Sequence, residues 1–101
     1  MQNITLNTKN TTYQKGINEH GFSLHLYYGP TVQGDLSNLL TYGFRCGHGT
    51  PYEYKENPVF SCDFSPQEYS CLGSGDYRNH AFRIRNAAGV SGCDLRYKSH
   101  T

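Results

Sequence analysis

The sequence predicts an all-β fold, part of a β-sandwich (a supersandwich) built from antiparallel hairpins with at most one short helix. Three observations lead to this prediction. Apolar and polar residues alternate in several short runs, as they do along half-buried strands. Turn residues separate these runs, and no long amphipathic helical pattern occurs in the 101 residues.

The first 29 residues are predicted to form a β meander. Residues 11–16 are strand-like, and the Asn18–Gly21 segment that follows supplies turn residues for a hairpin. The next strand has one face that we expect to be buried, with Phe22, Leu24, Leu26 and Tyr28. Its other face, which we expect to be solvated, carries Ser23, His25 and Tyr27.

Short elements are predicted in the middle of the chain. Residues 35–40 have helical character for at most one or two turns, with Asp35 as the cap. Residues 41–58 lose the alternation and collect glycine and proline, which predicts a long loop. Loops of this length usually carry a function or are disordered. A short strand is expected over residues 59–64.

A second hairpin is predicted near the end of the chain. Residues 82–85 and 93–98 alternate in character and flank a turn at residues 86–89. In the first of these strands we expect Phe82 and Ile84 to point inward and the arginines to point outward.

Composition limits the classes of function. The length allows one domain or part of one, with room for a modest core. The net charge is +1 and the basic residues are scattered, which argues against nucleic acid and anionic membranes as partners. No apolar run approaches the roughly 20 residues of a membrane span. The amino terminus lacks the pattern of an export signal, so we expect a cytoplasmic protein.

The four cysteines are Cys46, Cys62, Cys71 and Cys93. In a cytoplasmic protein we expect reduced thiols. The alternative is a small secreted domain held by two disulfides, for which four cysteines allow three pairings.

For several candidate sites, the sequence supports a structural role better than a functional one. A phosphate loop at Gly73–Gly75 would need a following helix, whereas a strand is expected there. A zinc site at Cys46 and His48 would have only half of the usual ligand spacing. We therefore predict no metal site and no cofactor.

The carboxylates closest in sequence are Asp63, Glu68 and Asp76. Glycosidic cleavage needs two carboxyl groups that face each other. We expect local roles instead, with Asp76 bonding its turn and Glu68 pairing with Arg78 or Arg83. Tyrosines that could stack on sugar rings, or equally fill the polar edge of a small core, are Tyr27, Tyr28, Tyr42, Tyr52, Tyr54, Tyr69 and Tyr77.

Six short motifs occur in a specific order, beginning with His25-Leu26-Tyr27-Tyr28-Gly29 and ending with Asp94-Leu95-Arg96-Tyr97-Lys98-Ser99-His100. In this order they make the sequence resemble the start of the bacterial α-galactosidases of glycoside hydrolase family 36. The motif residues to which we assign structural roles are Tyr27, Tyr28, Gly29, Gln67, Glu68, Tyr69, Gly73, Gly75, Asp76, Arg78, Asp94, Arg96 and Tyr97.

The resemblance implies a non-catalytic role. In that family the equivalent segment opens an amino-terminal β-supersandwich, and a (β/α)8 barrel carries the two catalytic aspartates that hydrolyse terminal α-galactosides. A barrel takes about 250 residues, so residues 1–101 are expected to be a single partial domain without it. No residue here is assigned a catalytic role, and the segment is expected to be inactive alone.

The resemblance also implies partners. These are the missing barrel and neighbouring subunits of a homo-oligomer, with a galactoside bound only by the full-length enzyme. The long loop is the candidate for contact near substrate, through Arg45, His48, Tyr52 and Tyr54. A free-standing carbohydrate-binding module with a β fold is the alternative, and it would present an exposed aromatic platform.

Overall fold

The computed structural model describes residues 1–40, 62, 65–72 and 78–101. The chain divides into two compact units, Met1–Thr41 with Arg96–Thr101 (unit 1) and Tyr42–Leu95 (unit 2). The predicted loop at 41–58 and nearly all of the predicted strand at 59–64 lie outside the described residues.

Unit 1 contains a three-stranded antiparallel sheet in the order β1-β2-β3. Its strands are β1 (Gln2–Asn7), β2 (Thr11–Ile17) and β3 (Ser23–Pro30). The predicted meander and the predicted all-β class are confirmed, because one short 3-10 turn is the only helix among the described residues. None of the helical structure in those residues is long and apolar enough to cross a membrane.

The turn between β2 and β3 is organised by Asn18, as the sequence predicted for this segment. The Asn18 Oδ1 atom accepts hydrogen bonds from the backbone N–H groups of His20 (3.0 Å) and Phe22 (2.9 Å). Gly21 donates its N–H to the Asn18 carbonyl at 3.0 Å and has a φ of 82°. This left-handed conformation favours glycine, which explains why the hairpin turns here.

The buried face of β3 agrees with its alternation at three of four positions. Phe22, Leu24 and Leu26 are buried, and His25 is exposed as predicted. Tyr28 was expected to be buried, but it is 68% exposed, so that prediction is wrong.

A β-bulge in β3 accounts for the exposure of Tyr28. Lys15 is opposite His25, while the preceding residue of β2, Gln14, is opposite Tyr27. Leu26 is therefore an extra residue in β3 without a partner in the ladder. One extra residue reverses the alternation that follows it, so Tyr28 lies on the same face as His25.

The inner face of the sheet is polar at its centre and is covered by residues 31–40, the covering segment. Gln14 is only 2% exposed. Its Nε2 atom donates to Thr5 Oγ1 (2.9 Å) and to the Gly34 carbonyl (3.0 Å), and its Oε1 accepts the Leu36 N–H at 2.8 Å. The buried amide is thus satisfied on both sides, as a buried polar group must be.

A second buried polar residue, Thr12, fixes the start of the covering segment. Its hydroxyl donates to Asn7 Oδ1 at 2.7 Å, and it accepts the backbone N–H of Val32 at 3.1 Å. Polar side chains therefore attach the covering segment to the sheet where an apolar contact would be usual.

The short helix in the covering segment is a 3-10 turn over Ser37–Leu39. Its cap position is Leu36, one residue later than predicted, because the 3-10 turn is shorter than the expected helical segment. Asp35 still organises the turn, since its Oδ1 accepts from the N–H of Ser37 at 2.8 Å and from the hydroxyl of Ser37. It also accepts from the side-chain amide of Asn3.

The predicted second hairpin is present only as its turn. Asn86 donates its N–H to the Val90 carbonyl at 3.0 Å, and Gly89 takes a φ of 79°. No strand forms among residues 78–101, all of which are described. Phe82 and Ile84 are 44% and 37% exposed rather than inward-facing.

The backbone hydrogen bonds of this segment explain why the strands are missing. Phe82 donates to the Ser70 carbonyl, Cys93 to that of Leu72, and Tyr97 to that of Gly21. Because each bond goes to a different part of the chain, no continuous ladder can form between 82–85 and 93–98.

Candidate functional site

The residues predicted to approach substrate, Arg45, His48, Tyr52 and Tyr54, lie outside the described residues, as do Gly73, Gly75 and Asp76 of the motif set. The carboxylate Asp63 is outside them too. Most of the remaining motif residues fall at three places. Arg96 contacts the β2–β3 turn, Arg78 lies in unit 2, and Tyr27 and Tyr28 lie on the sheet.

Arg96 holds the β2–β3 turn from a position near the end of the chain. Its guanidinium carbon lies 4.0 Å from the centre of the Phe22 ring, and its Nη1 donates to the His20 carbonyl. The next residue, Tyr97, donates its N–H to the Gly21 carbonyl at 2.7 Å. A cation over an aromatic ring and two bonds to turn carbonyls make this a clamp on the hairpin.

Tyr97 also contacts the residue that ends its motif. Its hydroxyl lies 2.6 Å from His100 Nδ1, and the two rings are 5.9 Å apart. The hydroxyl–imidazole contact is exposed and local.

Arg78 ties together the backbone of unit 2. Its Nη2 donates to the carbonyls of Cys62 (2.9 Å) and Ser65 (2.8 Å). The side chain of Gln67 donates to the same Cys62 carbonyl at 3.2 Å. Charged donors to backbone carbonyls are stronger than neutral ones, so Arg78 fixes the backbone at Cys62 and Ser65.

Two neighbouring motif residues, Tyr27 and Gly29, fit against each other. The Tyr27 hydroxyl donates to the Pro30 carbonyl at 2.9 Å, which places its ring over Gly29. A Cβ atom on Gly29 would lie 2.6 Å from the Tyr27 oxygen. A larger residue at position 29 would therefore have to displace the Tyr27 ring and disturb its bond to Pro30.

The face of the sheet opposite the covering segment, which we call the outer face, includes Ile4, Leu6, Tyr13, Lys15, His25 and Tyr28. Leu6, Tyr13 and Tyr28 form one row across the three strands. The Tyr13 ring is 6.3 Å from that of Tyr28 at 62° and 5.7 Å from that of His25. Leu6 is 58% exposed.

The outer face was missed because the alternation assigned Tyr28 to the core. Only the bulge places this ring beside Tyr13, and nothing in the sequence of β3 marks a bulge. β1 alternates Ile4 and Leu6 with polar residues, and β2 contributes one tyrosine, Tyr13, but this pattern does not reveal that the face stays exposed.

The other motif residues are at the surface to different degrees. Glu68 is half-buried, Asp94 is exposed, and Tyr69 is 55% exposed. Within the described ranges, no group of three or more His, Cys, Asp or Glu side chains could hold a metal ion. What the described residues offer chemically is aromatic and apolar contact surface, together with arginines bound to backbone carbonyls.

Comparison with known proteins identifies relatives of the whole chain. Residues 21–101 match the family model described as the glycosyl hydrolase family 36 N-terminal domain. The bifunctional alpha-galactosidase/sucrose kinase AgaSK of Mediterraneibacter gnavus is 45% identical over 97 residues, which is 96% of this chain and 10% of that protein. Alpha-galactosidase AgaA of Geobacillus stearothermophilus is 30% identical over 80 residues, 79% of this chain and 11% of that protein.

Solved structures of α-galactosidases also superpose on this chain. The galactosidase domain of AgaSK superposes with a TM-score of 0.84 at 44% identity, over 96% of this chain and 14% of that one. A variant of AgaA from Geobacillus stearothermophilus in complex with raffinose gives a TM-score of 0.80 at 27% identity, over 99% and 14% of the two chains. The chain thus spans about a tenth of the length of the curated relatives named here.

Proposed function

The chain belongs to the glycosyl hydrolase family 36 N-terminal domain family, and on that basis we propose that it is a non-catalytic amino-terminal segment of an α-galactosidase. Its role is structural and interface-forming, and it is inactive alone. The observation that carries this proposal is the match of residues 21–101 to that domain family, together with the small share of each relative that the chain covers.

The size of the chain supports the non-catalytic assignment. Retaining cleavage of a glycoside requires two carboxyl groups about 5 to 5.5 Å apart. A barrel that presents such a pair takes about 250 residues, more than twice the length of this chain. We therefore place the hydrolysis of terminal α-galactosides, which requires no cofactor, in a part of the enzyme beyond residues 1–101, and we treat those residues as one partial domain of the sandwich.

The outer face supports the interface role. Leu6 and Tyr28 are more than half exposed and lie in one row with Tyr13. Removing apolar surface from water is worth about 25 cal/mol per Å². The partners that would cover this face are the barrel and the neighbouring subunits of a homo-oligomer.

Two further assignments rest on the family. The loop residues Arg45, His48, Tyr52 and Tyr54 are proposed to lie near the galactoside of the full-length enzyme. A cytoplasmic location is also proposed, and there Cys62, Cys71 and Cys93 would keep the thiol form that they have in the structure.

Hydrolysis of a chromogenic α-galactoside by the purified 101-residue chain tests the function. A full-length relative such as AgaA serves as the positive control, and galactose binding is measured in parallel by calorimetry. We expect neither turnover nor binding. Turnover that survives repurification would overturn the proposal.

Binding without turnover would instead favour a free-standing carbohydrate-binding module, which the α-galactosidase relatives do not support. A chimera separates the two further: this chain replaces the matching segment of AgaA, whose barrel is unchanged. We expect the chimera to hydrolyse the substrate, since the segment would supply only packing surface.

A further inference from the structure

Two cysteines that are distant in sequence meet inside unit 2. The Cys71 thiol donates a hydrogen bond to the Cys93 carbonyl at 3.0 Å. The Cys93 N–H donates to the carbonyl of Leu72, the residue after Cys71, at 2.9 Å. These two bonds hold the Cys71 sulfur against the backbone of Cys93 and so bring the two cysteines together.

The position of Cys71 is fixed from its other side as well. It forms a parallel bridge with Phe82, and Phe82 donates its N–H to the carbonyl of Ser70 at 3.1 Å. Cys71 is 2% exposed, whereas Cys93 is only partly buried. A reagent in solution therefore reaches Cys93 more readily than Cys71.

The reduced pair is chemically quiet. Burial first, and then the neighbouring Cys71 side chain and the Asp94 carboxylate, raise the pKa of the Cys93 thiol above its ordinary value of 9.0. Because the thiolate is the reactive form, Cys93 reacts more slowly at neutral pH than an exposed cysteine. Both residues are in the thiol form in this structure.

We propose that Cys71 and Cys93 are an oxidation site, at which a peroxide converts the two adjacent thiols into a reversible intrachain disulfide. The link would join residues 65–72 to the segment that follows residue 78. Neither residue has a place in the proposed scaffold function, so the site is independent of it.

The reaction balances with hydrogen peroxide as the oxidant. The Cys93 thiolate attacks one peroxide oxygen, the O–O bond breaks, and Cys93 sulfenic acid and one water form. The Cys71 sulfur then attacks the Cys93 sulfur, the S–O bond breaks, and a second water leaves. The two thiols lose two electrons and two protons in total, which the peroxide takes up. A small dithiol reverses the step by thiol–disulfide exchange.

Intact-mass measurement of the wild-type chain under peroxide tests the proposal. We expect the chain to lose the mass of two hydrogen atoms, and peptide mapping to find Cys71 linked to Cys93. A Cys46→Ser/Cys62→Ser double variant, which keeps only the proposed pair, should behave identically. Cys71→Ser and Cys93→Ser chains should form no intrachain link.

The wild-type measurement does not depend on whether any variant folds. Differential alkylation of the reduced and oxidised chain, read out for each cysteine, should show Cys71 and Cys93 protected together. A link through Cys46 or Cys62 would overturn the proposal. So would sulfinic acid without a link, or no reaction under conditions that oxidise dithiothreitol in the same tube.

Discussion

At the scale of single residues, the fold depends on polar side chains that bond the backbone. Gln14 attaches the covering segment, Asn18 closes the β2–β3 turn, and Arg96 clamps that turn from the end of the chain. The turn role of the Asn18 segment was predictable, because it begins with an asparagine and ends with Gly21, and both residue types are typical of turns. The burial of Gln14 was not, since an amide on a buried face interrupts the apolar pattern on which such predictions depend.

Replacement of Gln14 by leucine is expected to destabilise unit 1. The leucine would leave the Gly34 carbonyl and the Leu36 N–H without their partner at two part-buried hydrogen bonds. An unsatisfied buried polar group costs about 1–3 kcal/mol, and partial access to water lowers this cost, so we expect a loss of roughly 1–2 kcal/mol in the free energy of unfolding. Urea denaturation followed by circular dichroism measures it.

Gln33→Leu is the matched control, because Gln33 belongs to the same covering segment and is exposed. It should change the free energy of unfolding by less than about 0.5 kcal/mol. Equal effects of the two substitutions would show that the buried bonds of Gln14 contribute nothing specific.

At the scale of elements, the local sequence pattern was enough to predict a strand whose hydrogen-bonded partner is its neighbour in the sequence. The alternation of β3 correctly predicted the burial of Phe22, Leu24 and Leu26, since β2 lies beside β3 and a short turn connects them. It failed at Tyr28 because a bulge is set by pairing and not by composition. The alternation at residues 82–85 failed for a related reason: its backbone bonds go to distant segments, which no local pattern can reveal.

The carboxyl group of Asp35 makes the stability of unit 1 depend on pH. The hydrogen bonds to Asp35 from the hydroxyl and then the N–H of Ser37, with a smaller one from Asn3, lower the pKa of this carboxyl from its ordinary value of 3.8. Its folded pKa is below its unfolded pKa, so the carboxylate stabilises the fold fully above about pH 3.8. That contribution is lost as the pH falls through the folded pKa.

Thermal midpoints measured between about pH 2 and pH 6 check this dependence. We expect the midpoint of the wild type to fall more steeply on acidification than that of Asp35→Asn, whose amide keeps an acceptor but does not titrate. Ser37→Ala should have an intermediate slope, because it removes the hydroxyl bond and keeps the N–H bond. Parallel slopes for all three chains would exclude Asp35 as the origin.

At the scale of the whole molecule, the family and the all-β class could be predicted because motif order survives even where single elements are misjudged. The apolar surface of the outer face could not, since it depends on the register of three strands. We expect this surface to make the isolated chain self-associate in the absence of its proposed partners.

Leu6→Ser tests that expectation by sedimentation velocity over a range of concentrations. Burying a leucine side chain is worth about 1.5–3 kcal/mol, and about 1.4 kcal/mol is a tenfold change in affinity. We therefore expect association to weaken by about tenfold to a hundredfold. Leu39→Ser is the control, because Leu39 is 48% exposed but lies on the 3-10 turn. A monomeric wild type, or equal effects of both substitutions, would contradict the prediction.

The bulge at Leu26 also means that the two edge strands of the sheet differ in how readily another strand can add to them. In the described part of the chain these edge strands are β1 and β3. β3 is interrupted by the bulge and ends at Pro30, and both features discourage a further strand from adding to an edge. β1, with the sequence QNITLN, has no charge, no proline and no register shift. Amyloid-like growth of a destabilised chain would therefore start at β1.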